Sequence, residues 1–418
     1  MAGRDAVDAG HGSRGGGGST PRWMADFDHL APGVGDVIHE RTAELRSACP
    51  VAYSGAYGGY FVVTGWDEID RVAKDDDTFS SAVDGLGATM VLPQSEKVTA
   101  PLFESDRPRH SVWRRAMQPF FTPAAAARIE PEIRRLVREV LARLAPRGQA
   151  DLVAEFAAVV PPLVTATILG VPDARRGEFA VLTRGLFGAT SPEQAAGAGG
   201  RLAALLTGLI GERRGAPVRD VLGAVVNTTV DGVPATDEEL LKHAFLMVAA
   251  GTLTAGDTIA NTALVLATDA GLRARVLADR TLLPAVIEES VRHESAVAAT
   301  GRTARRDTVL AGVDLVRGDR LLLVWGSANR DRTRFPDGER FRLDRAHPTR
   351  HLGWGAGAHR CLGMHLARLQ LRVVFEELLE VLGDFEPEEG FAPRRTFGVL
   401  RGLRSVPVRW KVGGSTPG

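Results

Sequence analysis

One of the two cysteines of this 418-residue chain lies in a glycine-rich segment, Trp354-Gly355-Ala356-Gly357-Ala358-His359-Arg360-Cys361-Leu362-Gly363. An amphipathic helix is predicted to follow it directly, from Leu362 to about Leu382. A cysteine at the start of a helix lies at the positive end of the helix dipole, which favours the thiolate and fixes its direction. The glycines Gly355, Gly357 and Gly363 leave room for a flat macrocycle against the backbone. The segment therefore predicts an axial thiolate ligand to a haem iron.

Two other interpretations of this segment are weaker. A single cysteine is often an inert packing residue, as we expect of Cys49, which has no comparable surroundings. A glycine-rich turn before a helix could also bind phosphate, but this segment lacks the Gly-Lys-Ser/Thr ending of a phosphate loop. Of the three interpretations, only the thiolate ligand gives the cysteine a chemical role.

The segment resembles the haem-ligand signature of the cytochrome P450 family, with Trp354 where most members have phenylalanine. The resemblance covers residues 48–410 and implies a mainly α fold, in which a large helical domain carries small peripheral β-sheets. It also implies haem b as the cofactor and Cys361 as its metal ligand. A thiolate pushes electron density onto the iron and favours O–O bond cleavage, so the implied chemistry is oxygen activation.

Haem carries two propionates, whose binding needs cations and hydrogen-bond donors. His110 and Arg114 are four residues apart, so one helical turn brings them to the same group. Arg302 follows the apolar run 296–299, and His359 lies two residues before the cysteine. Each alone is an ordinary surface charge, but together they match the family's propionate-binding positions.

A predicted helix over residues 282–293 places Glu289 three residues before Arg292, on one face. This spacing alone is typical of a solvated ion pair. By resemblance it is the family's Glu-x-x-Arg pair, which Arg345 joins. The implied role is structural, a buried charge network that supports the haem loop.

The longest predicted helix begins with the capping box Thr236-Asp237-Glu238-Glu239 and continues to about Asp269. Gly251 weakens its middle, and the Thr254 hydroxyl can bond back to the Ala250 carbonyl, which opens a groove. Simple helix packing would also explain these residues. By resemblance, the groove binds dioxygen and Thr254 helps to deliver protons.

The residue before this threonine is usually Asp or Glu in the family, but here it is Leu253, which cannot relay protons. The nearest carboxylate, Asp257, lies one turn further on and could substitute only through water, so we expect it to be a bystander. Either substrate or solvent then supplies the protons, or the enzyme abstracts hydrogen without ordinary oxygen insertion. Residues 250–256 are similar to those of actinobacterial members that act on cyclic dipeptides, some of which couple aryl rings.

Four segments form the substrate pocket by family position: 81–101, 245–254, 296–300 and 397–400. The residues expected to line it are Met90, Val91, Leu92, Ala250, Leu253, Val297, Ala298, Phe397 and Val399. They are small or apolar, which predicts a neutral, mid-sized natural product as the substrate.

The composition excludes several classes of partner. Lys+Arg and Asp+Glu both number 51, so zero net charge gives no indication of nucleic acid or an anionic membrane. Two cysteines do not make a disulfide framework, which fits a cytoplasmic protein. Residues 1–21 are Gly-rich and polar, and we expect a disordered tail there rather than a signal peptide or membrane anchor, with a single domain over 22–418.

Further along the chain, the patterns predict a hairpin over 51–63, a helix over 67–74 and strands over 310–316, 320–325 and 406–412. Residues 107–270 are predicted to be mostly helical, with breaks at Pro161-Pro162, at 170–172 and at 190–200, the last Ala/Gly-rich and mobile.

The sequence thus predicts a haem-thiolate monooxygenase or oxidase of secondary metabolism. Its electrons would come from NAD(P)H through ferredoxin reductase and ferredoxin, docked on a basic patch of Arg115, Arg360, Arg368 and Arg372. Three functions remain open: coupling of a cyclic dipeptide by hydrogen abstraction, ordinary hydroxylation of a polyketide or terpenoid, and, in another class, a haem sensor or electron carrier without turnover.

Overall fold

The computed structural model describes residues 27–82 and 101–412. Its α-helices are α1 (Val34–Ala48), α2 (Trp66–Lys74), α3 (Arg109–Met117), α4 (Pro123–Arg128), α5 (Glu130–Leu144), α6 (Val160–Ile168), α7 (Asp173–Phe187), α8 (Pro192–Arg213), α9 (Val221–Val226), α10 (Asp237–Thr268), α11 (Ala270–Ala278), α12 (Leu283–His293), α13 (Trp325–Ala328) and α14 (Met364–Leu382). The predicted tail 1–21 and the predicted pocket residues Met90, Val91 and Leu92 lie outside the described residues.

The strands form small sheets at the edge of this helical body. They are β1 (Val51–Ser54), β2 (Tyr60–Val63), β3 (Phe79–Ser80), β4 (Gln149–Asp151), β5 (Thr229–Val230), β6 (Val233–Pro234), β7 (Ala299–Ala304), β8 (Thr308–Leu310), β9 (Val313–Leu315), β10 (Arg320–Val324), β11 (Phe385–Pro387) and β12 (Pro407–Trp410). The largest sheet has the order β1-β2-β10-β7-β3, in which only β2 and β10 run parallel. A three-stranded sheet, β11-β12-β4, packs beside the helices.

The central element is α10, which crosses the helical body between two hydrophobic clusters. Thr236 caps its start by accepting a hydrogen bond from the Glu239 backbone N–H. Its C-terminal half packs with α5, α6 and α14, and its N-terminal half packs with α3, α7, α8 and α9. A helix buried on this scale is stabilised by packing more than by propensity. The predicted mainly α fold with small sheets is confirmed.

The prediction of an irregular segment over 190–200 is wrong, because α8 begins there. Ser191 caps this helix by accepting from the Gln194 N–H, and Pro192 occupies its first position. Close packing on α7 offsets the low propensity of the glycines, since a Cβ on Gly185 would lie 3.2 Å from Ala198.

Pro161 and Pro162 do not interrupt a helix either. They lie in the first turn of α6, where a missing N–H costs nothing. Among the described residues, no helix has the length and apolar character needed to cross a membrane.

Candidate functional site

The cysteine segment forms a closed turn. The Cys361 backbone N–H donates to the Trp354 carbonyl at 2.8 Å, and helix α14 begins only at Met364. Gly355 has φ of 70°, which favours glycine. Gly357 has φ of 64°, and a Cβ there would lie 2.1 Å from the Ala73 carbonyl oxygen of α2. The contact with α2 therefore requires glycine at position 357, in addition to the room for a macrocycle that the sequence predicts.

The surroundings of Cys361 raise its thiol pKa rather than lower it. Burial is the largest cause, opposed by a hydrogen bond from the Gly363 N–H and by the nearby charge of Arg114. The expected lowering by the helix dipole does not dominate, since the helix starts three residues later. Protein surrounds the residue closely, yet part of its surface is accessible, which describes a thiol that faces interior space.

Four basic side chains come from three separate elements near this cysteine. The rings of His110 on α3 and His359 in the cysteine turn lie 4.2 Å apart. Arg114 lies close enough to Cys361 for each charge to affect the other group's pKa. Arg302 on β7 lies close enough to His359 to lower the histidine's pKa. Burial and neighbouring cations lower the pKa of His110 to about 4 and that of His359 to about 2.

Among the described residues, no carboxylate contacts this cluster: Asp76 and Asp106 act on Arg302 only from a distance, and they pair with Arg107 and Arg305. Within the described residues, none of the four makes an ion pair, and Arg302 is buried with only the Gly301 carbonyl as hydrogen-bond partner, at 2.6 Å. A buried guanidinium without an ion pair is costly. The donor set therefore fits a haem, whose propionates would supply the missing anions while Cys361 faces the iron.

Trp354 is tethered by a residue that the sequence analysis missed. Its indole N–H donates to Glu288 at 3.0 Å, and Arg368 lies over its ring at 5.1 Å. Glu288 also binds the His351 ring at 2.9 Å and Arg368 at 2.5 Å. Phenylalanine could not make the tether, so the departure from the family's usual residue was itself a signal, since a buried indole needs an acceptor.

We expect Glu288→Ala to lower the free energy of unfolding by ~2–3 kcal/mol, less than for a fully buried pair because Arg368 is partly exposed. Burial alone would raise the Glu288 pKa, but His351 and Arg368 hold it at about 2. Its stabilisation is therefore present above about pH 4.5 and is lost as the pH falls towards 2. Urea unfolding measured from pH 7 to pH 3 tests this. In Glu288→Gln, the free energy of unfolding should fall less steeply as the pH is lowered. The exposed Glu380→Ala on α14 is the control; an equal loss there would refute the role of Glu288.

The predicted charge triad is present as a set of contacts. Glu289 accepts two hydrogen bonds from Arg292, both at 2.7 Å, and further ones from Arg345 at 2.9 and 3.0 Å. Arg292 also donates to the carbonyls of Asn329 and Gly338. Glu289 and Arg292 are almost fully buried, so the pair joins α12 to the segment that leads to the cysteine turn.

In the middle of α10, the Thr254 hydroxyl donates to the Ala250 carbonyl at 2.7 Å, as predicted. Gly251 has a second explanation, since a Cβ there would lie 2.7 Å from the Thr165 hydroxyl oxygen of α6. The surfaces of Ala250 and Gly251 nevertheless remain accessible in the centre of a buried helix. This segment of α10 therefore borders interior space.

Two of the segments predicted to form the pocket, 296–300 and 397–400, are in contact. Val297 forms a bridge with Leu400, and the Ala298 N–H donates to the Val399 carbonyl at 2.8 Å. Leu253, Val297, Phe397 and Val399 are partly buried, whereas Ala298 is buried.

The predicted basic patch is smaller than its residue types suggest. Arg368 is paired with Glu288, and Arg372 is paired with Glu130 and Glu376, each at 2.7 Å. Among the described residues, the exposed Arg115 and Arg360 have no carboxylate partner.

The chain is similar to several known proteins in sequence and in overall structure. The sequence model of the cytochrome P450 family matches residues 215–390. The chain is 34% identical to the cytochrome P450 monooxygenase PikC of Streptomyces venezuelae over 84% of this chain and 86% of PikC. The structure of CYP108D1 from Novosphingobium aromaticivorans has a TM-score of 0.82 at 32% identity, covering 93% of this chain and 98% of that one. HmtN, a post-tailoring hydroxylase of himastatin biosynthesis, has a TM-score of 0.80 at 31% identity, covering 90% and 97%.

Proposed function

Because the chain belongs to the cytochrome P450 family, and is a haem-thiolate monooxygenase of that family, we propose that it tailors a neutral, mid-sized natural product. The observation that carries this proposal is that Cys361 keeps accessible surface although protein surrounds it closely, as do Ala250 and Gly251 in the middle of the buried helix α10; we take the adjoining residues 297–298 and 399–400 as apolar walls. When bound, haem b would supply oxygen activation there.

The chain's own residues would hold that cofactor by ligating the iron, by binding the propionates, and by shaping and supporting the cysteine turn. Cys361 would ligate the iron, while His110, Arg114, Arg302 and His359 would bind the propionates. Gly355 shapes the cysteine turn, and Gly363 donates its N–H to the Cys361 sulfur, which stabilises the thiolate over the thiol. Glu289, Arg292 and Arg345 would support the turn from behind without contacting substrate.

On the oxygen side, Thr254 would be the catalytic hydroxyl and Gly251 would leave room beside it. Ala250, Leu253, Val297, Ala298, Phe397 and Val399 would contact the substrate. Their neutral, small or apolar side chains favour a substrate without fixed charge. Within this class, the short likeness of 250–256 to enzymes of cyclic dipeptides supports hydrogen abstraction followed by C–C or C–N coupling.

Ordinary hydroxylation is the second candidate, on a polyketide, a terpenoid or another tailored scaffold. It is favoured by the likeness to HmtN, which is a post-tailoring hydroxylase, and to the monooxygenase PikC. Either reaction takes electrons from outside the chain. We propose a cytoplasmic route from NAD(P)H through ferredoxin reductase and a ferredoxin, which docks at Arg115 and Arg360.

We expect the haem-loaded protein to show a shift of its ferric Soret band towards the high-spin form when a cyclic dipeptide with aromatic side chains is added. Reconstitution with ferredoxin, its reductase and NAD(P)H should then give product, analysed by mass. Loss of hydrogens or a dimer means coupling, whereas a gain of one oxygen means hydroxylation. A haem protein that shifts with none of the natural-product classes and gives no product would instead be a sensor or carrier.

A further inference from the structure

The middle of α10 carries a carboxyl group in an unusual position. Asp257 lies one helical turn after Thr254, and its side chain is directed against the backbone of Gly402. A Cβ on Gly402 would lie 2.1 Å from Asp257 Oδ1, so only glycine leaves room for the carboxyl there. Within the part of the chain that the structure describes, Asp257 makes no hydrogen bond and no ion pair. A carboxyl that protein surrounds closely, but that has no protein partner, calls for an explanation.

The surroundings of Asp257 contain no compensating charge. Burial raises its pKa to about 7, and no neighbouring ionised group contributes to the shift. The cations of the adjoining turn, Arg395 and Arg401, are directed to Glu294 instead, at 3.6 and 2.8 Å. Protein encloses the residue closely, yet part of its surface is accessible. Like Cys361, it therefore faces interior space rather than the outer surface.

A second observation lies one turn further along the same face of α10. Asn261 Oδ1 accepts from the Arg395 guanidinium at 2.7 Å, while its Nδ2 is buried and has no partner among the described residues. Buried amide N–H groups nearly always have a partner, and ordered water is the usual one where protein supplies none. The amide is thus placed to hold water between itself and Asp257, its neighbour at i−4.

This polar line continues to the protein surface. The Arg395 backbone N–H donates to Asp36 Oδ1 at 2.9 Å, and the Asp36 side chain at the start of α1 is about one-third exposed. We define the polar seam as Thr254, Asp257, Asn261, Arg395 and Asp36. It follows the contact between α10 and the 395–403 turn. Apolar packing surrounds α10 in its two hydrophobic clusters, so the seam differs from the rest of the helix surface.

We propose that Asp257 is the carboxyl that receives protons from solvent through water held beside the polar seam and passes them to the oxygen groove at Thr254. This role reverses the sequence-based expectation that Asp257 is a bystander. It rests on the proposed function, because a monooxygenase takes up electrons and an equal number of protons for each dioxygen. One oxygen atom of each dioxygen leaves as water in hydroxylation, and both leave as water in coupling.

The chemistry of the two side chains suits such a transfer. The Thr254 hydroxyl already donates to the Ala250 carbonyl, so its lone pairs remain free to accept a hydrogen bond. A protonated carboxyl is a donor, and an ionised one takes up the next proton from water. A group that titrates close to the working pH can do both, which is the condition for efficient general acid–base catalysis. Leu253 can do neither.

The test compares holoenzyme carrying Asp257→Asn with wild type and with Asp314→Asn, an exposed aspartate on β9. Asparagine keeps the shape but cannot titrate. Turnover should fall by about 10²-fold or more in Asp257→Asn, within the range for a lost acid–base group. Hydrogen peroxide formed per NAD(P)H should rise, while haem content and the substrate-induced Soret shift stay as in wild type. Turnover within about twofold of wild type and of Asp314→Asn would overturn the proposal.

Two readouts do not depend on turnover, so they separate this proposal from the proposed function. Infrared difference spectra should show a protonated carboxyl band that titrates near pH 7 in wild type and is absent from Asp257→Asn. Since the folded pKa is raised from 3.8, wild type should lose stability as the pH rises from about 4 to 7, and Asp257→Asn should not. If neither effect is found, the proposal fails even in an active enzyme; if both are found without any turnover, the proposed function fails instead.

Discussion

Replacing Cys361 by alanine or histidine is expected to abolish the red-shifted Soret band of the reduced, carbon monoxide-bound protein, together with turnover. That band depends on a thiolate, which donates electron density to the iron. Alanine offers no ligand, and a neutral imidazole is a weaker donor. Optical spectra of the reduced protein before and after carbon monoxide, with haem content measured separately, give the result.

Cys49→Ala is the matched control, because Cys49 is the other cysteine of the chain. Its thiol donates to the Val51 carbonyl at 3.0 Å at the start of β1, so its loss removes one weak hydrogen bond. We expect the red-shifted band to be unchanged in this variant. A band that survives in Cys361→Ala would show that another residue ligates the iron.

The second large effect is expected from Glu289→Ala, which should prevent stable haem incorporation. The substitution leaves Arg292 fully buried without its anion and removes the partner of Arg345. Breaking a buried pair from one side typically costs ~3–5 kcal/mol. Since α12 and the segment before the cysteine turn are joined through this carboxylate, the loss falls on the haem site. Haem per chain and the urea midpoint of the purified protein measure it.

Glu139→Ala is a control with the same kind of pair, since Glu139 binds Arg135 at the surface of α5 with both side chains about half exposed. Such pairs are worth about 0–1 kcal/mol. If Glu289→Ala does not fold, Glu289→Gln is the second variant. It keeps the length of the side chain and one acceptor oxygen, so we expect an intermediate loss of haem. Full haem content and an unchanged urea midpoint in Glu289→Gln and Glu289→Ala would show that the triad does not support the haem site.

Wrong sequence predictions had two different physical causes. The 190–200 segment has a composition typical of a loop, but a serine cap and contacts with α7 make it part of a helix. Propensity is a weak prior that packing overrides. The pKa of Cys361 was expected to fall, but burial raises it and outweighs the Gly363 hydrogen bond and the neighbouring arginines. Burial cannot be read from the residues beside a cysteine.

Local sequence patterns determined the contacts between residues that are close together in the chain. Backbone geometry alone brings together residues that are a few positions apart. Examples are the cysteine turn, the Glu289–Arg292 pair, the cap at Thr236 and the Thr254 bond to Ala250. The mainly α character follows from helical periodicity in the same way. The resemblance to a family then indicated which distant segments of the chain form the site.

Only the tertiary structure decided which distant charges meet. Glu288 takes Arg368 out of the predicted basic patch and holds Trp354, 66 residues away, while Arg302 makes no ion pair with any residue that the structure describes. Asp257 is an ordinary helical aspartate in the sequence, but its carboxyl lies against Gly402, 145 positions on, and burial raises its pKa to about 7. The free energy of a charge depends on the solvent and ions around it, and packing across the whole chain sets both.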